Sequence, residues 1–160
     1  MDSELSLIER DQARLRADIE RLDGWGRENP HRFAGLWFQN HDSSGREHVV
    51  IVVAVVDDLD GTTNELCGLV EHPDRLRVQR GRHTNAELLV VRDRVMHDLM
   101  PSVLTDTTGT HVTSLGIDSQ EGRVVIGLNR VDREFADGLV AQFGSDWVRV
   151  MDEPQNIGPL

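Results

Sequence analysis

Lysine and tyrosine are absent from this chain of 160 residues, and cysteine occurs once. A single thiol excludes an internal disulfide and any cysteine-rich zinc module. All 17 basic residues are arginine, a bias that fits a GC-rich genome, since no one mechanism asks for arginine throughout. Clustered cations are scarce as well. With a formal charge of −11, nucleic acid and anionic membranes are excluded as main partners, because both select clustered positive charge. Long apolar runs are missing too: the longest, Val49 to Val56, is far short of the about 20 residues of a bilayer span. The start, Met1-Asp2-Ser3-Glu4, is acidic where a secretory leader begins with cations, so the default expectation is cytoplasmic. A chain trimmed of an export signal reads the same, and its protein is secreted.

What is present is the composition of an ordinary globule, 38% hydrophobic and 28% charged, enough for one domain or two small lobes around their own cores. Residues 3 to 22 read as one amphipathic helix. Ile8, Leu15, Ile19 and Leu22 share a face, and Gly24-Trp25-Gly26 and Asn29-Pro30 end it. That helix is either docked on the domain or the arm of a homodimer, with Asp11 and Asp18 on its seam arguing against a coiled coil. After Pro30 the pattern turns to strands: Phe33 to Phe38, a turn over Asn40 to Gly45, and His48 to Val56. Both faces of the second run are apolar, which predicts a central strand. Asp57 to Asn64 reads as a polar loop, Glu65 to Glu71 as a short helix and Leu76 to Gln79 as a third strand.

Thr84-Asn85-Ala86-Glu87 has the form of a capping box, and Leu88, Val91, Val95 and Leu99 form the stripe of a helix over 84–100 that Pro101 stops. Residues 102–110, rich in Ser and Thr, read as a linker. Strands over Val112 to Ile117 and Arg123 to Leu128 follow, then a helix over Asp132 to Phe143 and a strand over Trp147 to Met151. The second half repeats the first. Gly45-Arg46 precedes Val49-Val50-Ile51, and Gly122-Arg123 precedes Val124-Val125-Ile126. The expectation is an α+β fold: an N-terminal helix (1–27), then two duplicated β-β-α-β lobes, each a two-layer sandwich, separated by a capped helix. The first lobe spans 30–101 with the long helix, the second 111–152, and 153–160 form a tail.

Asp58-Leu59-Asp60-Gly61-Thr62, after an apolar strand, resembles the first signature of haloacid-dehalogenase-like phosphatases. The resemblance makes Asp58 the nucleophile, Asp60 the acid–base and Mg²⁺ the bridge between them. That superfamily also needs a downstream cation, usually lysine, which this chain lacks. The other reading of the motif is a solvated acidic turn. The seven histidines show no metal-ligand spacing, although His41 and His48 could face each other across the first hairpin. Cys67 reads as buried filler, and Trp37 and Trp147 as core residues on strands. No cofactor is expected.

Phe33-Ala34-Gly35-Leu36-Trp37, and Gly116-Ile117-Asp118 through Gly122-Arg123-Val124-Val125-Ile126, are ordered as in a known family. From about residue 5 to residue 152 the chain resembles the prodomains of the bacterial α-lytic-protease and streptogrisin group. That resemblance implies a two-lobed α+β fold whose sheet packs against a partner protein, and a role as folding helper or inhibitor of a protease. It also implies a partner-binding tail, for which Asn156, Ile157, Gly158, Pro159 and Leu160 are the candidates. The expectation is therefore a non-catalytic protein-binding module of unknown partner. The alternatives are the Mg²⁺-dependent phosphatase at Asp58 and Asp60 and a protein that self-associates through helix 3–22.

Overall fold

The computed structural model describes residues 6–105 and 109–152, with 100–105 as backbone. The chain divides into two compact units, Met1–Ala86 and Glu87–Leu160. The first contains α1 (Leu7–Arg14), α2 (Arg16–Glu28), β1 (Phe33–His41), β2 (Glu47–Val55), α3 (Leu59–Leu69) and β3 (Leu76–Arg80). The second contains α4 (Asn85–Thr105, all but its first two residues), β4 (Val112–Asp118), β5 (Arg123–Leu128), α5 (Arg133–Phe143) and β6 (Val148–Asp152).

Both units solve the same problem in the same way. In the first, β2 pairs antiparallel with β1 and parallel with β3; in the second, β5 pairs antiparallel with β4 and parallel with β6. Each hairpin turns at a glycine with positive φ, Gly45 at 82° and Gly122 at 66°, a conformation that costs other residues strain. A parallel neighbour cannot be reached by a tight turn, so α3 and α5 serve as the crossovers. Val49, Ile51, Val53 and Val55 of β2 form one core with Leu15, Leu22 and Trp25 of the first helices and Leu66 of α3. Val124, Ile126 and Leu128 of β5 form the other with Leu88, Val95, Leu139 and Phe143. The α+β class, the two lobes and the central position of the β-branched strand are as the sequence pattern implies.

Several boundaries differ. The helix read over 3–22 is two helices that break at Leu15, and α2 continues through Gly24-Trp25-Gly26 to Glu28. Tertiary contact overrides the glycine penalty there: Trp25 is buried and its indole N–H donates to Glu65 Oε1 at 2.9 Å. The first helix is capped by Ser6, which exchanges hydrogen bonds with Glu9. The apolar stripe meant for a separate N-terminal element or a dimer arm lies on this unit's own core, with Ile8 and Ile19 packed at its margin. Residues 57–64 are not a loop throughout, since α3 begins at Leu59. The long helix belongs with the second unit and not with a lobe over 30–101, because its stripe of Leu88, Val91, Val95 and Leu99 packs on β5 and α5. It also runs through Pro101 to Thr105. A proline deletes one backbone donor, and the bonds around it carry the helix on. Of the expected linker, Gly109 and Thr110 are bonded to Asn129 and Asp132 of the second unit. The tail 153–160 lies outside the described residues.

One buried carboxylate fastens the first unit. Asp18 of α2 is 1% exposed and accepts from four donors: the backbone N–H of Glu71 at 2.8 Å and of His72 at 3.0 Å, His72 Nδ1 at 3.0 Å and Arg21 Nη1 at 3.0 Å. It thereby ties α2 to the chain that leaves α3, 53 residues away. Burial by itself would raise its pKa, but the Glu71 N–H and the ring and N–H of His72 outweigh it, so the carboxyl lies below its ordinary value of 3.8. A depressed carboxylate pKa contributes stability above the unfolded value and loses it as pH falls through the folded one. Each buried donor left without an acceptor costs about 1–3 kcal/mol. Asp18→Ala is therefore expected to lower unfolding free energy by about 2–4 kcal/mol at neutral pH. In urea titrations the gap between wild type and variant should narrow as pH drops below 3.8; a gap constant down to acid pH would show that the charge is not what holds α2.

Candidate functional site

The acidic motif after β2 is the N-terminus of a helix. Asp58 Oδ1 accepts the Gly61 N–H at 3.2 Å and caps α3, and Asp60 lies exposed in its first turn. A capping carboxylate is favoured there by the unsatisfied N–H groups and the helix dipole. Gly61 follows from the same geometry, because a Cβ at that position would collide with the Asp58 carboxylate. The chain around it is held by Arg32, which reaches Asp57 at 2.8 Å, Thr62 at 2.8 Å and Glu65 at 2.9 Å, and lies 5.0 Å over the Trp25 ring. Trp25 and Arg32 both hydrogen-bond Glu65 and lower its pKa. This cluster joins α2 and α3 to the residue that precedes β1 and to the chain that leaves β2.

Other candidate residues stay apart. The register places Glu47, not His48, opposite His41, and His48 Nδ1 lies 3.3 Å from Arg75 Nη1. Among the described residues no three His, Cys, Asp or Glu side chains are grouped to hold a metal. Cys67 is half-buried in α3. Trp147 precedes β6 and packs at the margin of the second core. An apolar cavity between α4 and β4 measures about 160 Å³, below the roughly 300 Å³ at which small-molecule pockets begin.

The surface that sets the second unit apart is the sheet face turned away from its helices. Alternation along β5 sends Val124, Ile126 and Leu128 into the core, and hence Arg123, Val125 and Gly127 to the opposite face. Gly116 of β4 stands opposite Val125, and so does Arg149 of β6 on its other side. In the first unit the matching residue is Val52, flanked by Trp37 and Arg77. Val52 is 0% exposed, whereas Val125 is only half-buried. The exchange of Trp37 for Gly116 accounts for part of this: on the antiparallel side an indole stands beside one valine and no side chain beside the other. A Cβ built at Gly116 meets nothing within 4 Å.

Charge surrounds this valine. Arg149 lies 2.8 Å from Glu121 Oε2 and 3.6 Å from Asp118 Oδ2. Asp118 Oδ1 meanwhile accepts the N–H groups of Gln120 at 3.0 Å and Glu121 at 3.1 Å in the turn. One half-buried apolar side chain is thus ringed by charge. Sequence reading does not find it, because Gly116 and Val125 acquire meaning only once the register is known. The repeat itself was the available signal.

If Asp58 acts as a cap, serine should replace it and alanine should not. Asp58→Ala is expected to cost about 1 kcal/mol and Asp58→Ser at most about 0.5 kcal/mol, measured by chemical denaturation. An equal loss in both variants would assign the carboxylate a role beyond capping.

Compared with protein-family models and with curated proteins, the chain matches none.

Proposed function

We propose that the protein is a non-catalytic protein-binding module of the protease-prodomain kind, which docks a partner on the helix-free face of its second sheet. The observation that carries this reading is the half-buried Val125, next to Gly116 and rimmed by Arg123, Arg149, Asp118 and Glu121. Burying an exposed aliphatic side chain completely is worth about 1.5–3 kcal/mol; Val125 is half-buried, so a partner side chain seated over Gly116 would supply the remaining part of that burial. The resemblance of the motifs Phe33–Trp37 and Gly116–Ile126 to protease prodomains names the class of partner: a secreted bacterial serine endopeptidase. The commitment of Asp58 to a backbone N–H and the burial of the first helices' apolar stripe lend no support to the phosphatase or the helical dimer arm.

The test is a panel of such endopeptidases titrated with the intact chain, with inhibition and assisted refolding as readouts. Gly116→Trp copies the side chain of the first unit into open space. It is expected to leave the melting temperature unchanged or raised, and to weaken inhibition at least about tenfold, as loss of one well-packed centre does. Removal of residues 153–160 measures the tail's share separately. Full activity of every endopeptidase in excess protein would count against the prodomain reading, and unchanged inhibition by Gly116→Trp would move the docking surface elsewhere.

A further inference from the structure

The two units contain an internal comparison at their hairpins. In the first, Asp42 accepts the N–H groups of Ser44 at 2.9 Å and Arg46 at 3.0 Å, and its second oxygen lies 3.3 Å from Arg46 Nε. The hairpin arginine thus has the hairpin aspartate as its counter-ion. In the second unit the aspartate and arginine beside the hairpin turn are Asp118 and Arg123, which unlike Asp42 and Arg46 are paired across the strands, at the register positions that Gln39 and Val50 hold in the first unit. The ion pair is nonetheless not formed. One oxygen of Asp118 is taken by the turn, and the other faces Arg149 of β6. In the first unit the matching β3 arginine, Arg77, reaches the same position, held there by the neutral Gln39 at 3.3 Å, and Asp42 in the turn beyond it has Arg46 as its counter-ion.

Arg123 is therefore a cation without a counter-ion among the described residues; its Nε, like that of Arg149, is buried with no hydrogen-bond acceptor, but Arg149 has its two carboxylates and Arg123 has none. Unlike Arg46, whose side chain is 82% exposed to water, Arg123 is half-buried. Arg46 has both a counter-ion and water around it, whereas Arg123 has no counter-ion and is only partly solvated. The guanidinium lies on the same helix-free face as Val125, two residues along the same strand. A guanidinium presents a planar fork of donors that matches a carboxylate in two parallel hydrogen bonds.

We infer that Arg123 is the anchor for a carboxylate of the protein partner, an Asp or Glu side chain delivered next to the residue that covers Val125. This rests on the helix-free face being the docking surface. It assigns that surface its chemistry: the partner presents an apolar residue with an acidic residue beside it. Charge complementarity is local, because Arg149 is already neutralised by Glu121 and Asp118 while Arg123 is not.

The probe is a displayed library of random peptides selected on the intact chain, with affinities of the recovered peptides measured by fluorescence anisotropy. Peptides that Gly116→Trp displaces should carry Asp or Glu at one fixed position. Arg123→Gln should weaken them about tenfold or more, as loss of a charge-assisted hydrogen bond does, and Arg46→Gln should not. Changing the peptide's acid to its amide should cost as much in wild type and nothing further in Arg123→Gln, a coupling that an additive structural effect cannot produce. Peptides displaced by Gly116→Trp but without a fixed acid, or with additive losses, would overturn the role of Arg123 and leave the docking face standing. Recovery of no peptide sensitive to Gly116→Trp would overturn both.

Discussion

The middle strand of each sheet runs antiparallel to one neighbour and parallel to the other, and most of the architecture depends on this. The parallel neighbour has to be reached by a helix crossing one face of the sheet. The helix that precedes the hairpin packs on that same core in both units: α2 on β2 and α3, and α4 on β5 and α5. One face is therefore always furnished by the fold itself. The other face receives nothing from the topology, so its fate is decided by side chains alone.

The two units decide it differently. In the first, Val50, Val52 and Ala54 on that face are buried almost as completely as the core-facing valines, with Trp37 beside Val52. In the second, glycines at 116 and 127 and the charges of Asp118, Arg123 and Arg149 flank one valine. A duplicated backbone with divergent side chains separates what folding needs from what it does not. The positive-φ glycines and the alternating valines recur, so they belong to the fold. The covering indole does not recur, and the fold survives without it.

This difference also explains what could be read in advance. Hairpins, the central β-branched strand and the repeat are local or periodic signals, and they appear in the chain as Gly45-Arg46 and Gly122-Arg123 followed by valine runs. The errors concern signals that depend on distant residues. Gly24-Trp25-Gly26 looks like a helix end until Glu65 is known to receive the Trp25 N–H. Asp58 to Thr62 looks like a loop because aspartate and glycine favour turns, yet the same two residues make a capped helix start. Asp18, an apparent flaw on an apolar stripe, is the acceptor for a loop more than fifty residues away. The long helix could not be assigned to a unit by its own pattern, since an amphipathic stripe states that it packs and not on what.

The face proposed for docking needed a further step, comparison of two registers. A half-buried valine opposite a glycine, and an arginine whose cross-strand aspartate has been drawn to a neighbouring strand, are small departures from an otherwise consistent fold. Local rules broken without local compensation mark functional positions. Here the first unit shows that compensation was available within the same framework: a tryptophan at the position of Gly116, and a neutral glutamine and valine at the positions of Asp118 and Arg123. The second unit lacks both devices at neighbouring positions on one face. Two independent omissions would be a cost twice over for an isolated unit, and the single partner surface proposed above, apolar at one residue and acidic at the next, would remove both at once.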